Sequence, residues 1–199
     1  YLVVLVISPE TQALALLGPH PWGAGRFYGV SNELETLLLA PALVLGLAAA
    51  PLVLVTVGWS RAGSDGGGLV VLLAAYASLV THRRLAAVGV VVLAVCFVLV
   101  DAATGGSSHV THSVLHGGLP HDLWHRWSVS WHDATGTWGR GALCVVCLGV
   151  LASIAARGPR SRSVDAFLVA IVVSLVANDT PQDVLLWGAV TGVGLRRAV

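Results

Sequence analysis

The 199-residue chain contains no methionine and no lysine, and only 11% of its residues are charged. Soluble domains carry about 25% charged residues, so this scarcity excludes an ordinary soluble surface. With 56% hydrophobic residues and a mean hydropathy of +0.82, the composition is that of a polytopic membrane protein. The missing methionine and the abrupt apolar start, Tyr1 to Ile7, lead us to expect an N-terminally incomplete chain that opens on the tail of a span. No charged start or small-residue cleavage site accompanies that run, as a signal peptide would require. All eleven basic residues are arginine, and a formal charge of +1 gives no basic surplus for nucleic acid. Only three cysteines occur, Cys96, Cys144 and Cys147, each within an apolar run where a free thiol packs as a small hydrophobe. Cys144 and Cys147 have C-x-x-C spacing but no second pair, which favours packing over redox or metal chemistry. No H-E-x-x-H or G-x-S-x-G motif is present, so the signatures of a zinc protease and of a serine hydrolase are missing.

What the chain has instead is a series of apolar runs divided by small polar islands. Ser8 to Glu35 is a loop punctuated by Pro and Gly. Thr36 to Val57 is apolar over 22 residues, enough for one helix across a core about 30 Å thick. Pro41 and Pro51 equally permit a hairpin of two shorter helices. The distinction matters because a hairpin puts Glu33 on the same side as Asp65 and Asp179, and a single span separates them. The acidic balance of Ser8 to Glu35 leans toward the hairpin. Gly67 to Thr81, Leu85 to Val100 and Gly139 to Ala156 are further apolar helices. Arg83, Arg84, Arg157, Arg160 and Arg162 fall in connections that the positive-inside rule makes cytoplasmic. Residues 102–138 are then extracytoplasmic, a long loop rich in His, Trp, Gly and Ser. Ser163 and Asp165 read as a helix start.

The last two apolar runs, Ala166 to Ala177 and Val184 to Leu195, are each 12 residues, about 18 Å of helix. Arginines flank both outer ends, so both ends are predicted inside. Two such helices that start and finish on one side must extend through their polar connection or stop partway, which puts Asn178-Asp179-Thr180 with Gln182 and Asp183 below the outer surface, where non-helical backbone must be buried or line a watery cavity.

The expected fold is an all-α, polytopic transmembrane helix bundle of six to eight helices, some short or paired as hairpins. Residues 1–199 form one membrane domain in the plasma membrane, with the loop carrying an interfacial helix. In that loop Trp124, Trp127, Trp131 and Trp138 follow the spacing i, i+3, i+7, i+14, the stripe of a helix lying in the membrane interface.

Three constellations could carry chemistry, one of them the tryptophan stripe, whose alternative to an interfacial helix is a substrate-stacking platform. Arg26, Tyr28, Asn32 and Glu33, with Asp65, Asn178 and Asp179, offer a guanidinium for an anion, carboxylates for a cation or proton, and glycines that let a ligand approach. The structural alternative is an Arg26 clamp on Glu33 or Glu35, with Asp65 and Asp179 capping helices. Lipid-facing charge costs roughly 2.5–3.5 kcal/mol per residue at a helix centre, so polar residues in such a chain are functional candidates. His109, His112 and His116, and separately His121, His125 and His132, share one face if helical and could hold a divalent metal. Gly105-Gly106, Gly117-Gly118 and Pro120 interrupt those sets, and scattered loop histidines are commonly solvated. No other cofactor is expected.

The segments Arg26-Phe27-Tyr28-Gly29-Val30-Ser31-Asn32-Glu33, Asp65-Gly66-Gly67 and Asn178-Asp179-Thr180 resemble three motifs of a group of uncharacterised bacterial polytopic membrane proteins. The resemblance implies that the three segments belong together and implies no activity. Pro181-Gln182-Asp183 departs from it, being more polar than a continuing helix. Three functions remain open: a transporter or lipid-carrier translocase, a membrane enzyme acting at the outer face on a lipid-linked or phosphorylated substrate, and a scaffold subunit. Expected partners are the bilayer, a lipid-linked or anionic small molecule, and a membrane complex.

Overall fold

The computed structural model describes residues 30–58, 66–80, eight positions between 89 and 103, 118–178 and 180–199. The described elements are all helical: α1 Asn32–Leu45, a 3-10 turn Gly46–Ala48, α2 Ala50–Gly58, α3 Gly66–Leu79, α4 Leu119–Thr135, α5 Trp138–Ala156, α6 Arg162–Ala177 and α7 Pro181–Ala198. The all-α expectation therefore holds for these residues. Among them one helix, α5, is long and apolar enough to cross a membrane by length and composition.

The Thr36 to Val57 run is broken, and glycine rather than proline breaks it. Gly46 ends α1 with φ 69°, a left-handed conformation that a side chain disfavours. Pro41 stays inside α1, and Pro51 falls in the first turn of α2, where its missing N–H costs little. A straight helix would put Val57 about 33 Å from Glu35, yet both line one cavity, so the chain doubles back.

Contacts fix the helix directions around α6. Asn178, at the end of α6, meets Glu35 at the start of α1, while Ser163 Oγ donates to Leu43 O at the opposite ends, so α1 and α6 are antiparallel. Glycines let α7 run close against its neighbours. A Cβ at Gly188 would lie 2.8 Å from Ile171, and one at Gly192 would lie 3.1 Å from Phe167 and 3.2 Å from Ile154. Side chains 167 and 171 thus pair with 192 and 188, an antiparallel hairpin of α6 and α7. Since Arg196 donates to the carbonyls of Arg157 and Pro159, α7 runs parallel to α5. The core joining these helices is aliphatic with Phe167 at its centre, and includes Leu39, Leu43, Val71, Val164, Val184 and Leu185.

Two sequence boundaries need correction. The last helices are 16 and 18 residues, about 24 and 27 Å, so the two 12-residue apolar runs extend into their polar flanks. Ser161 caps α6 by accepting from Val164 N, which brings Arg162 to Asp165 into the helix. Asp165 lies in the first turn, ion-paired with Arg160 at 2.6 Å on the surface. Pro181 opens α7, so Gln182 and Asp183 are helical. The tryptophan stripe also ends earlier than expected. Trp124, Trp127 and Trp131 form a ladder on α4, with ring centroids 5.3 and 6.4 Å apart. Gly136 then stops α4, Thr137 caps a new helix, and Trp138 begins α5 at 96% exposure.

Candidate functional site

Ser31 caps α1 by accepting a hydrogen bond from Leu34 N at 3.3 Å, which fixes Asn32 as the first helical residue. Three residues further on, the same face carries Glu35, followed by Leu39, Ala42 and Leu43, all buried. That face points into the bundle, so the Glu35 side chain goes with it and is only 2% exposed. At the facing end of α6, Asn178 leaves the helix in an extended conformation, its N–H still bonded to Ser174 O at 2.8 Å. Its amide turns inward and spends one N–H on Glu35 Oε2 at 2.9 Å and the other on Ser174 Oγ at 2.8 Å. A hydrogen bond to a carboxylate is roughly twice as strong as one between neutral groups, so this contact joins α1 to α6 at a point where water is excluded.

A second bond ties the same end together. Asn32 Nδ2 donates to Thr180 Oγ1 at 2.9 Å, connecting α1 to the link between α6 and α7. In the first turn of α7, Asp183 lies within electrostatic reach of Glu33 on α1 and of Arg140 in the first turn of α5. The Gln182 Oε1 atom beside it is shielded from solvent and has no hydrogen-bond partner among the described residues. Three helices thus begin here, and their first turns bring together amides, carboxylates, a hydroxyl and one guanidinium.

Glu35 also closes one end of a cavity of about 110 Å³. Leu38, Pro41, Ala42 and Leu45 of α1, Val53 and Val57 of α2, and Leu72 of α3 line the remainder. The cavity is apolar apart from its Glu35 end.

The structure brings three of the expected site residues together: Asn32, Glu33 and Asn178. Arg26, Tyr28, Asp65 and Asp179 lie outside the described residues, as do His109, His112 and His116. Glu35, Ser174 and the hydroxyl of Thr180 are members of the site that the sequence reading did not select. Helical periodicity carries the signal for Glu35, which is i+3 from Asn32 and i−4 from Leu39. Of the other histidines, His121, His125 and His132 are exposed on α4, with the first two rings 6.4 Å apart. Among the described residues no group of three or more His, Cys, Asp or Glu could hold a metal ion. Cys144 and Cys147 are free thiols buried one turn apart in α5, consistent with packing.

No protein-family model matches the chain, and neither a curated protein nor a solved structure matches it.

Proposed function

We propose that this chain is a multi-pass plasma-membrane protein of the transporter or lipid-carrier translocase type, with residues 102–138 outside and a polar binding site at the Glu35–Asn178 end of the bundle. The observation that carries this reading is a carboxyl group 2% exposed, the one acidic side chain buried among the described residues, held by an amide from another helix. Burying a charge is unfavourable and contributes little to stability even when paired, so such groups in membrane bundles mark ligand or ion pathways.

The outer faces of the helices support the membrane part of the proposal. Val145 and Val146 on α5, Val172 and Val176 on α6, and Leu45, Leu52 and Val55 at the α1–α2 hairpin are all more than half exposed. Apolar surface of that extent is unfavourable in water and neutral against lipid. The amphipathic α4, with exposed Trp124 and Trp127, suits the boundary between head groups and acyl chains.

The test uses the full protein in phosphatidylcholine vesicles containing a trace of phospholipid with a fluorescent nitrobenzoxadiazole head. Dithionite added outside bleaches only the outer leaflet unless lipid is translocated. Wild type should expose the inner pool, and Glu35→Gln should slow exposure about 10- to 100-fold, matching the roughly 1.5–3 kcal/mol of a charged hydrogen bond. Bleaching no faster than in protein-free vesicles would refute translocation.

A further inference from the structure

We infer that the arginine rim at the start of α6 and the end of α7 binds an anionic phospholipid of the inner leaflet, its phosphate on the guanidinium groups and an acyl chain along the outer face of α6. This inference rests on the proposed membrane reading and adds a ligand at the end of the bundle opposite Glu35 and Asn178.

The fold gathers charge that the sequence holds apart. Arg157, Arg160 and Arg162 stand in and beside the link between α5 and α6, and Arg196 and Arg197 lie in the last turn of α7. Arg196 donates through Nη1 to Pro159 O at 2.7 Å and through Nη2 to Arg157 O at 2.9 Å. Its planar fork pins the end of α7 to that link, which brings Arg197 into the same rim. Asp165 is the one acidic side chain in residues 157–165 and 190–199, and Arg160 Nε already pairs with it at 2.6 Å. Arg157, Arg162 and Arg197 are exposed, so the rim presents a surplus of positive charge at the surface.

Beyond the rim, the exposed face of α6 has the layout of a phospholipid. Arg162, Asp165, Val169, Val172 and Val176 recur at three- to four-residue intervals and all are exposed, so charge in the first turn gives way to valine along one face. Ten residues of rise from Arg162 to Val172 make about 15 Å, the depth of one leaflet in a hydrocarbon core about 30 Å thick. The outer face of α7 repeats the order from its last turn. Arg197, Gly194 and Val190 are exposed at the same spacing, and a Cβ at Gly194 would meet nothing within 4 Å. A soluble acidic protein or a free phosphate would match the arginines and leave the valines uncovered, whereas a phospholipid matches both. Arginines clustered at the cytoplasmic end of membrane helices attract anionic lipid, and guanidinium bonds phosphate oxygens in pairs. A zwitterionic head cancels its own phosphate charge, so selectivity for net negative charge is the expected mark of this surface.

The test is native mass spectrometry of the full protein, delipidated in detergent and titrated with dioleoyl phosphatidylglycerol or dioleoyl phosphatidylcholine. The first phosphatidylglycerol should bind roughly tenfold more tightly than the first phosphatidylcholine. Arg162→Gln combined with Arg197→Gln should weaken phosphatidylglycerol about 25-fold, about fivefold for each guanidinium, and leave phosphatidylcholine unchanged. Asp165→Asn should tighten phosphatidylglycerol about fivefold, a gain that arginines with a purely structural role would not give. Should the double variant fail to fold, raising the salt of the wild type from about 0.1 to 1 M, which shortens the screening length from about 10 to 3 Å, must weaken phosphatidylglycerol and spare phosphatidylcholine. Equal affinity for the two lipids, insensitivity to salt, or a folded double variant that binds like the wild type would overturn the inference. The same loss in Glu35→Gln would overturn it by moving the lipid to the other end of the bundle. Glycerophosphoglycerol, the head without its chains, binding as tightly as the lipid would make the rim a soluble-anion site, and a hexaglutamate peptide displacing the lipid at equal concentration would assign it to an acidic protein. Selective phosphatidylglycerol binding without translocation by the wild type overturns the translocase reading alone. Translocation without that selectivity overturns this inference alone.

Discussion

Glu35 and Asn178 are 143 residues apart in sequence and share a 2.9 Å hydrogen bond away from water. Asn178→Leu would leave the carboxylate and Ser174 without the amide, and should lower stability in detergent by about 1–3 kcal/mol. In a Glu35→Leu background the same substitution should cost less, because the carboxyl group that the amide bonds is gone. Thermal unfolding of the four proteins measures the coupling, expected at about 0.5–3 kcal/mol for residues in contact. Additive effects would show that the two side chains act independently. At this scale the sequence was half legible. Asn32, Glu33 and Asn178 stood out because each is a polar group beside an apolar run. In the sequence Glu35 figures only as one of two alternative partners of Arg26, beside Glu33, since only the direction of its helix face reveals that it points inward. Ser174 was hidden more completely, as a serine inside an apolar run is commonly satisfied by its own helix backbone.

The helices themselves were more legible than their ends. Gly139 to Ala156 and Gly67 to Thr81 match α5 and α3 to within one or two residues, because long apolar runs have few alternatives. The ends of α6 and α7 depend on the Ser161 cap and on Pro181 at the first helical position, which outweigh the polarity of the next residues. Close packing of α7 rests on glycines that periodicity alone does not rank. Gly192→Val would drive branched carbons into Phe167 and Ile154 and should destabilise by about 1–3 kcal/mol. Gly194, one turn-half away, has nothing within 4 Å of its Cβ position, so Gly194→Ala should stabilise the helix by about 0.5–1 kcal/mol. Unfolding midpoints that shift in the same direction for both would contradict the helix packing described here.

On the scale of the whole molecule, charge is sorted between two ends. Arg196 donates to Arg157 and Pro159 carbonyls, and Arg160 pairs with Asp165, so Arg157, Arg160, Arg162, Arg196 and Arg197 collect at the start of α6 and the end of α7. The Glu35–Asn178 site lies at the opposite end of the same helices. The arginines flanking these runs already point to this pairing of ends in the sequence, whereas the meeting of α1 with α6 is a long-range contact that rests there on the resemblance of the Asn32-Glu33 and Asn178-Asp179-Thr180 segments to motifs that belong together. In the proposed topology α5, α6 and α7 cross the bilayer with the arginines inside and the polar site facing out. Cysteine accessibility tests it most directly, using single cysteines at Thr135 or Ala198 in the full protein with Cys96, Cys144 and Cys147 replaced. A membrane-impermeant thiol reagent applied to intact cells should label Thr135→Cys at once and Ala198→Cys only after permeabilisation; labelling of both positions from the same side would contradict this topology.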